Sequence, residues 1–245
     1  MRHQSIYSNR AKIGLITPPT NTVNEAEWTR MMPTGVTFHA HRMPLHAPPH
    51  TPEEVAAFQR DLDANVRLLA QARVDVIAYA CTAGSMVTPA SSMPEAIKGR
   101  TGVEAVTTAA AIVQALARLG AARISVITPY NKVPNDHEAE FLRAHGLEPL
   151  AIEGLGLGVN GAADIPKISQ TPLADIRTLA ERTFVQGSDA LLITCTDFPS
   201  LPLIVELEET FGVPVVSSNT ATLYACLRKV GINDHLKNSG VLMTL

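Results

Sequence analysis

Asp75-Val-Ile-Ala-Tyr-Ala-Cys81-Thr82 recurs further down the chain as Asp189-Ala-Leu-Leu-Ile-Thr-Cys195-Thr196. Each copy is a short apolar run opened by Asp and closed by Cys-Thr. Each reads as a buried strand that delivers a thiol at its carboxyl end. Two further pairs flank it. Ile16-Thr17-Pro18-Pro19 recurs as Ile127-Thr128-Pro129-Tyr130, and Gly102-Val-Glu-Ala-Val-Thr-Thr108 recurs as Gly212-Val-Pro-Val-Val-Ser-Ser218. Three motifs in one order, offset by 111, 114 and 110 residues, make an internal duplication. Halves related by a pseudo-two-fold bring equivalent strand ends face to face. Two thiols then approach one small molecule, an arrangement for proton or covalent chemistry at carbon.

Strands alternate with helices throughout. Ala11–Thr17, Gly35–Arg42, Asp75–Ala80 and Glu104–Val106 read as strands of the first half; Thr22–Met32 and Ala109–Leu119 read as helices. Thr51 opens another helix as N-cap, with Pro52 in the first turn and Glu54 completing a capping box. Val55, Phe58, Leu62, Val66 and Leu69 follow at helical spacing. In the second half the strands are Arg123–Thr128, Glu148–Glu153, Asp189–Thr194 and Val213–Val216. A Gly-rich loop is expected over residues 154–163, and helices over Pro134–His145, from Thr171-Pro172, over Leu201–Phe211 and over Thr220–Val230. The pattern predicts an α/β fold of two flavodoxin-like β/α lobes, each with a mostly four-stranded parallel sheet, residues 1–110 and 111–245, with some chain crossing between them. Ligands of such sheets bind beyond the strands' carboxyl ends, so the site is expected between the lobes.

Composition excludes several classes. With 46% hydrophobic and 18% charged residues in 245, the chain can bury a sizeable core. A net charge of −3 gives no basic surface for nucleic acid or membrane. Apolar runs are too short to span a bilayer and the N-terminus lacks the apolar core of a signal peptide, so a cytoplasmic protein is expected. Three cysteines with no Cys-x-x-Cys spacing suggest free thiols. A lone cysteine is ordinarily a small buried hydrophobe, and Cys226, between Leu223 and Leu227, reads that way. Cys81 and Cys195 differ, because both precede loops leading to helix starts, whose free amides favour a thiolate. His39, His41, His46 and His50 lack an acidic partner in ligand spacing, so no metal is expected. Gly156-Leu-Gly158 opens no dinucleotide unit, and no cofactor is expected.

The motifs together resemble the aspartate/glutamate racemase superfamily, and more narrowly its maleate cis–trans isomerase and arylmalonate decarboxylase branch. The resemblance runs from Ile13 to about Val230. It is carried by Gly-Leu-Ile-Thr-Pro-Pro-Thr-Asn21-Thr, Tyr-Ala-Cys81-Thr, Ile-Thr-Pro-Tyr130, Gly-Val-Asn160-Gly and Cys195-Thr-Asp-Phe-Pro-Ser-Leu-Pro. The decarboxylases keep only the second-lobe cysteine, whereas this chain has both, like the isomerases. The resemblance implies catalytic Cys81 and Cys195, with Asn21, Tyr130 and Asn160 holding a small dicarboxylate. Thr82 and Thr196 are added as donors beside the thiols, and Thr20, Thr22, Ser217 and Ser218 as further hydroxyls. It implies a homodimer or dimer of dimers, and cofactor-free isomerisation by thiolate addition, bond rotation and elimination. Thr82-Ala83-Gly84-Ser85 stands where those isomerases carry bulkier apolar residues, and Asp197 adds an acidic group near the site. No Arg or Lys is evident in these loops, so neutral donors are expected to bind the anion. Low-pKa thiols are expected at both positions. Other readings stay open: a two-thiol racemase or epimerase of a small amino or hydroxy acid, an arylmalonate-type decarboxylase, or a non-catalytic small-acid binding protein. Asn21 also reads as a cap of the following helix, and Asn160, beside Gly161, as a turn residue.

Overall fold

The computed structural model describes residues 3–46, 51–160 and 163–245. The first sheet comprises β1 (Ala11–Thr17), β2 (Val36–Arg42), β3 (Val76–Tyr79) and β4 (Glu104–Thr107). The second comprises β5 (Arg123–Tyr130), β6 (Glu148–Leu157), β7 (Ala190–Ile193) and β8 (Val215–Ser217). The strand orders are β2-β1-β3-β4 and β6-β5-β7-β8, all pairs parallel. The same order in both sheets is the duplication seen in three dimensions. The architecture is the expected two-lobed α/β fold.

The helices are α1 (Asn24–Met31), α2 (Pro52–Gln71), α3 (Ser92–Thr101), α4 (Thr108–Leu119), α5 (Lys132–Ala144), α6 (Leu173–Thr183), α7 (Ile204–Phe211) and α8 (Ser218–Lys229). Local chemistry sets their ends. Thr51 accepts from the Glu54 N–H while Glu54 reaches back, completing the predicted box. Leu62, Val66 and Leu69 bury the inner face of α2, whereas Val55 is exposed. The third repeat motif turns out to be a pair of N-caps: Thr107 accepts from Ala110 N–H, and Ser217 from Thr220 N–H.

α4 and α8 lie between the sheets. α4 packs on α8 and reaches β8, while α8 reaches β3 and β4. One apolar core therefore runs through both halves, from Ile13, Leu15 and Val76 to Val126, Leu192 and Cys226. Residue 110, the expected boundary, falls inside α4.

Three expectations need correction. β6 continues to Leu157, so Gly154 and Gly156 lie in a strand, not a loop. Its edge position lets the chain remain extended, and Gly154 leaves room for the Tyr130 carbonyl, which a Cβ would meet at 2.1 Å. α6 is capped at Pro172, not Thr171, whose hydroxyl instead donates back to the Ile168 carbonyl at 2.9 Å. α3 was not anticipated, because it carries little amphipathic pattern and buries only Ile97.

Candidate active site

Beyond the carboxyl ends of the strands lies a cavity of about 220 Å³. Cys81 follows β3 of the first sheet and Cys195 follows β7 of the second, and both line it, with Asn21, Thr82, Tyr130 and Thr196. Six of the seven expected site residues are thus brought together. Asn160 is not among the lining residues. It is exposed, and both its N–H and its side-chain amide go to Asp164 (2.9 and 3.3 Å). Asp164 is held down to about 2 by Lys167 and Asn160, so Asn160 works in a local turn. Asn131 lines the cavity instead and caps α5 through Val133 N–H.

The two cysteines sit in different backbones. Cys195 has φ +90°, a conformation that costs a non-glycine residue roughly 1–3 kcal/mol. Its N–H donates to Ser218 Oγ at 3.1 Å, which fixes the turn. Cys81 carries no such strain. Groups that favour a thiolate flank both sulfurs: the Gly84 backbone and the Tyr79 hydroxyl at Cys81, the Tyr130 hydroxyl and the Asp197 backbone at Cys195. Burial nevertheless dominates. It pushes the Cys81 thiol up, and the Cys195 thiol up to about 12, where the Asp197 and Cys81 charges add to it. In the ligand-free site burial thus works against the low-pKa thiols expected at both positions. Cys226, 0% exposed in α8, is the core residue expected.

The hydroxyls and amides mostly hold the two halves together. Asn21 Oδ1 accepts from Val23 and Asn24 N–H (3.1 and 3.0 Å), so it does cap α1. Its Nδ2 donates to Thr196 Oγ1 at 2.9 Å, which leaves one amide hydrogen for a ligand. Thr196 donates to the Ala80 carbonyl (3.1 Å), and Thr82 pairs with Ser218 at 2.9 Å. Ser217 and Ser218 are occupied as cap and brace and do not line the cavity. Asp197 Oδ1 accepts from Thr22 and Val23 N–H (2.8 and 3.2 Å), so this carboxyl joins the halves. No Arg or Lys lines the cavity among the described residues. Arg42 braces the Asn21 loop from outside, donating to the Pro18 and Asn21 carbonyls (3.3 and 2.7 Å).

Of the four histidines weighed as metal ligands, His50 lies outside the described residues. His46 contacts Asp61 at 2.9 Å, His39 contacts Thr37 at 3.1 Å, and His41 turns to the Arg42 carbonyl.

Sequence reasoning missed Tyr79, Gly84 and Glu138. Glu138 on α5 is 1% exposed and accepts from Thr194 Oγ1 at 3.1 Å, and burial pushes it up to about 8. Folded Glu138 thus holds its proton more tightly than the unfolded chain, whose ordinary value is 4.5. Stability is fullest below that value and falls as pH rises from it toward about 8. Glu138→Gln removes this loss, on the order of 5 kcal/mol by pH 8. Melting temperature measured against pH is expected to be flatter in the variant, with its advantage growing from pH 5 to 8.

Residues 13–243 match the family described as arylmalonate decarboxylase. The chain belongs to this family. Within it, the chain is 28% identical to maleate isomerase of Geobacillus stearothermophilus over 95% of this chain and 97% of that one. It is also 28% identical to arylmalonate decarboxylase of Bordetella bronchiseptica over 89% and 90%. Among solved structures it resembles Nocardia farcinica maleate cis–trans isomerase, in a cysteine-to-serine mutant with a covalently bound succinylcysteine intermediate. The TM-score is 0.83 at 28% identity, over 96% of this chain and 98% of that one. Arylmalonate decarboxylase family kinship, with several maleate isomerases among the relatives, supports an isomerase.

Proposed function

We propose that the chain catalyses cofactor-free cis–trans isomerisation of maleate, or a close small dicarboxylate, to the trans isomer. The observation that carries the reading is one cavity walled by a cysteine from each sheet, with a phenol near each sulfur. The Nocardia relative's succinylcysteine is the saturated adduct such chemistry requires.

As substrate enters the cavity the Cys81 proton passes to solvent, and the thiolate adds to one alkene carbon. Cys195, kept protonated by burial and by Asp197, gives its proton to the neighbouring carbon. The former double bond is now single and rotates. The Cys195 thiolate takes the proton back, the C–S bond breaks, and the trans alkene leaves with Cys81 restored as thiolate. The free Asn21 amide hydrogen and the Thr82 and Thr196 backbone are placed to meet carboxylate oxygens where charge gathers.

Proton NMR of the reduced protein with maleate tests this. Fumarate is expected to appear without added metal or cofactor. If maleate persists, the reading fails for that substrate, and deuterium incorporation at Cα of amino or hydroxy acids would instead mark a racemase.

A further inference from the structure

We propose that Tyr79 and Gly84 form a cradle around the Cys81 sulfur that positions it and favours its thiolate. The proposal rests on the two-thiol reading above and adds two residues to it. Tyr79 lies two positions before Cys81, so its side chain leaves the strand on the same face. It is 6% exposed, and its ring is fixed edge-on against Phe58, with centroids 5.8 Å apart. Its hydroxyl and the Gly84 backbone both lie against Cys81 Sγ, and both favour the thiolate.

Space explains the glycine. A Cβ at position 84 would stand 2.6 Å from the Tyr79 hydroxyl and 3.0 Å from Cys81 Sγ. Any side chain there separates the phenol from the thiol. Gly84 does not have positive φ, so close approach, not backbone freedom, is what the position demands.

The duplication does not supply this cradle by symmetry. The counterparts of Tyr79 and Gly84 are Ile193 and Phe198, and Cys195 takes its phenol from Tyr130, on the adjacent strand, whose own counterpart is Pro19. Two halves from one ancestor have each placed a phenol on a thiol by a different route. The halves also differ in charge. Asp197, whose carboxyl raises the cost of a thiolate at Cys195, is matched by Ala83 beside Cys81. The first-sheet thiol therefore has groups that favour a thiolate and no acidic neighbour, and the second is disposed to keep its proton.

Tyr79→Phe keeps the ring against Phe58 and removes only the hydroxyl. The test is the pH profile of iodoacetamide alkylation, resolved by peptide mass mapping into Cys81 and Cys195. In Tyr79→Phe the Cys81 midpoint is expected to move up and its rate near pH 8 to fall about tenfold, while Cys195 keeps its profile. Gly84→Ala should act in the same direction. Turnover of maleate should lose kcat with KM little changed, since Tyr79 does not line the cavity. An unchanged Cys81 midpoint in Tyr79→Phe overturns the proposal, and this variant decides alone if Gly84→Ala fails to fold. Should the Cys81 shift occur in a protein that leaves maleate untouched, the cradle stands and the isomerase reading falls.

Discussion

Cys81→Ala and Cys195→Ala are each expected to lower kcat for maleate on the order of 10⁴-fold or more. The double variant should be little worse than either single one. The two thiols act as a unit: addition without a proton donor stalls at a carbanion, and a proton donor without a nucleophile leaves the double bond intact. Non-additivity is the signature of groups that share one step. Cys226→Ala is the control. Cys226 is fully buried in the core common to both halves, so its loss costs about 1 kcal/mol in stability and leaves kcat alone. Fumarate formation followed by proton NMR reads the wild type and all four variants. Equal activity in wild type and either active-site variant would remove that cysteine from the mechanism.

Glu27→Ala should have the largest effect on stability. Glu27 reaches from α1 into the second half and is 5% exposed. It accepts from Ser200 N–H (2.7 Å), Leu201 N–H (2.8 Å) and Asn219 Nδ2 (2.7 Å). Asn219 in turn donates to the Thr196 carbonyl, pairs with Asn24 and accepts from Trp28 Nε1. Burial raises Glu27, and its four bonds to Leu201, Asn219 and Ser200 oppose that. Truncation leaves these donors buried without an acceptor, and about 3–5 kcal/mol is the usual cost of breaking such an arrangement. Urea denaturation should show that loss, and the Thr196–Ser200 turn beside Cys195 should loosen with it. A loss below about 1 kcal/mol would mean that apolar packing of α4 on α8 alone holds the halves together.

Much of the fold was legible because two signals agreed. Strand–helix alternation gave the elements, and the Asp-to-Cys-Thr repeat gave their pairing into two like sheets. The repeat also located both thiols, since a residue just past a buried parallel strand has nowhere to go but the ligand face. Asn21 and Tyr130 came from the family resemblance, and Thr82 and Thr196 from their place beside the thiols. Asn160 came from the resemblance too and is not among the lining residues. Its motif suggested the cavity, but no periodicity reveals the side-chain and backbone bonds that it makes to Asp164. Tyr79 was hidden by its own strand, where an aromatic residue reads as ordinary core. Gly84 was noted only as an oddity of composition, because its purpose is a close approach between two atoms. The thiols' resting protonation was likewise out of reach: helix-start amides are visible in sequence, but the desolvation that outweighs them is a property of the closed cavity.

The central claim is a covalent bond between Cys81 and the substrate carbon. Mass spectrometry of Cys195→Ser incubated with maleate tests it most directly. The account predicts a mass increase equal to one maleic acid, mapped to the Cys81 peptide and absent when Cys81 is also replaced. An unmodified Cys81 in a protein whose wild type makes fumarate would contradict it.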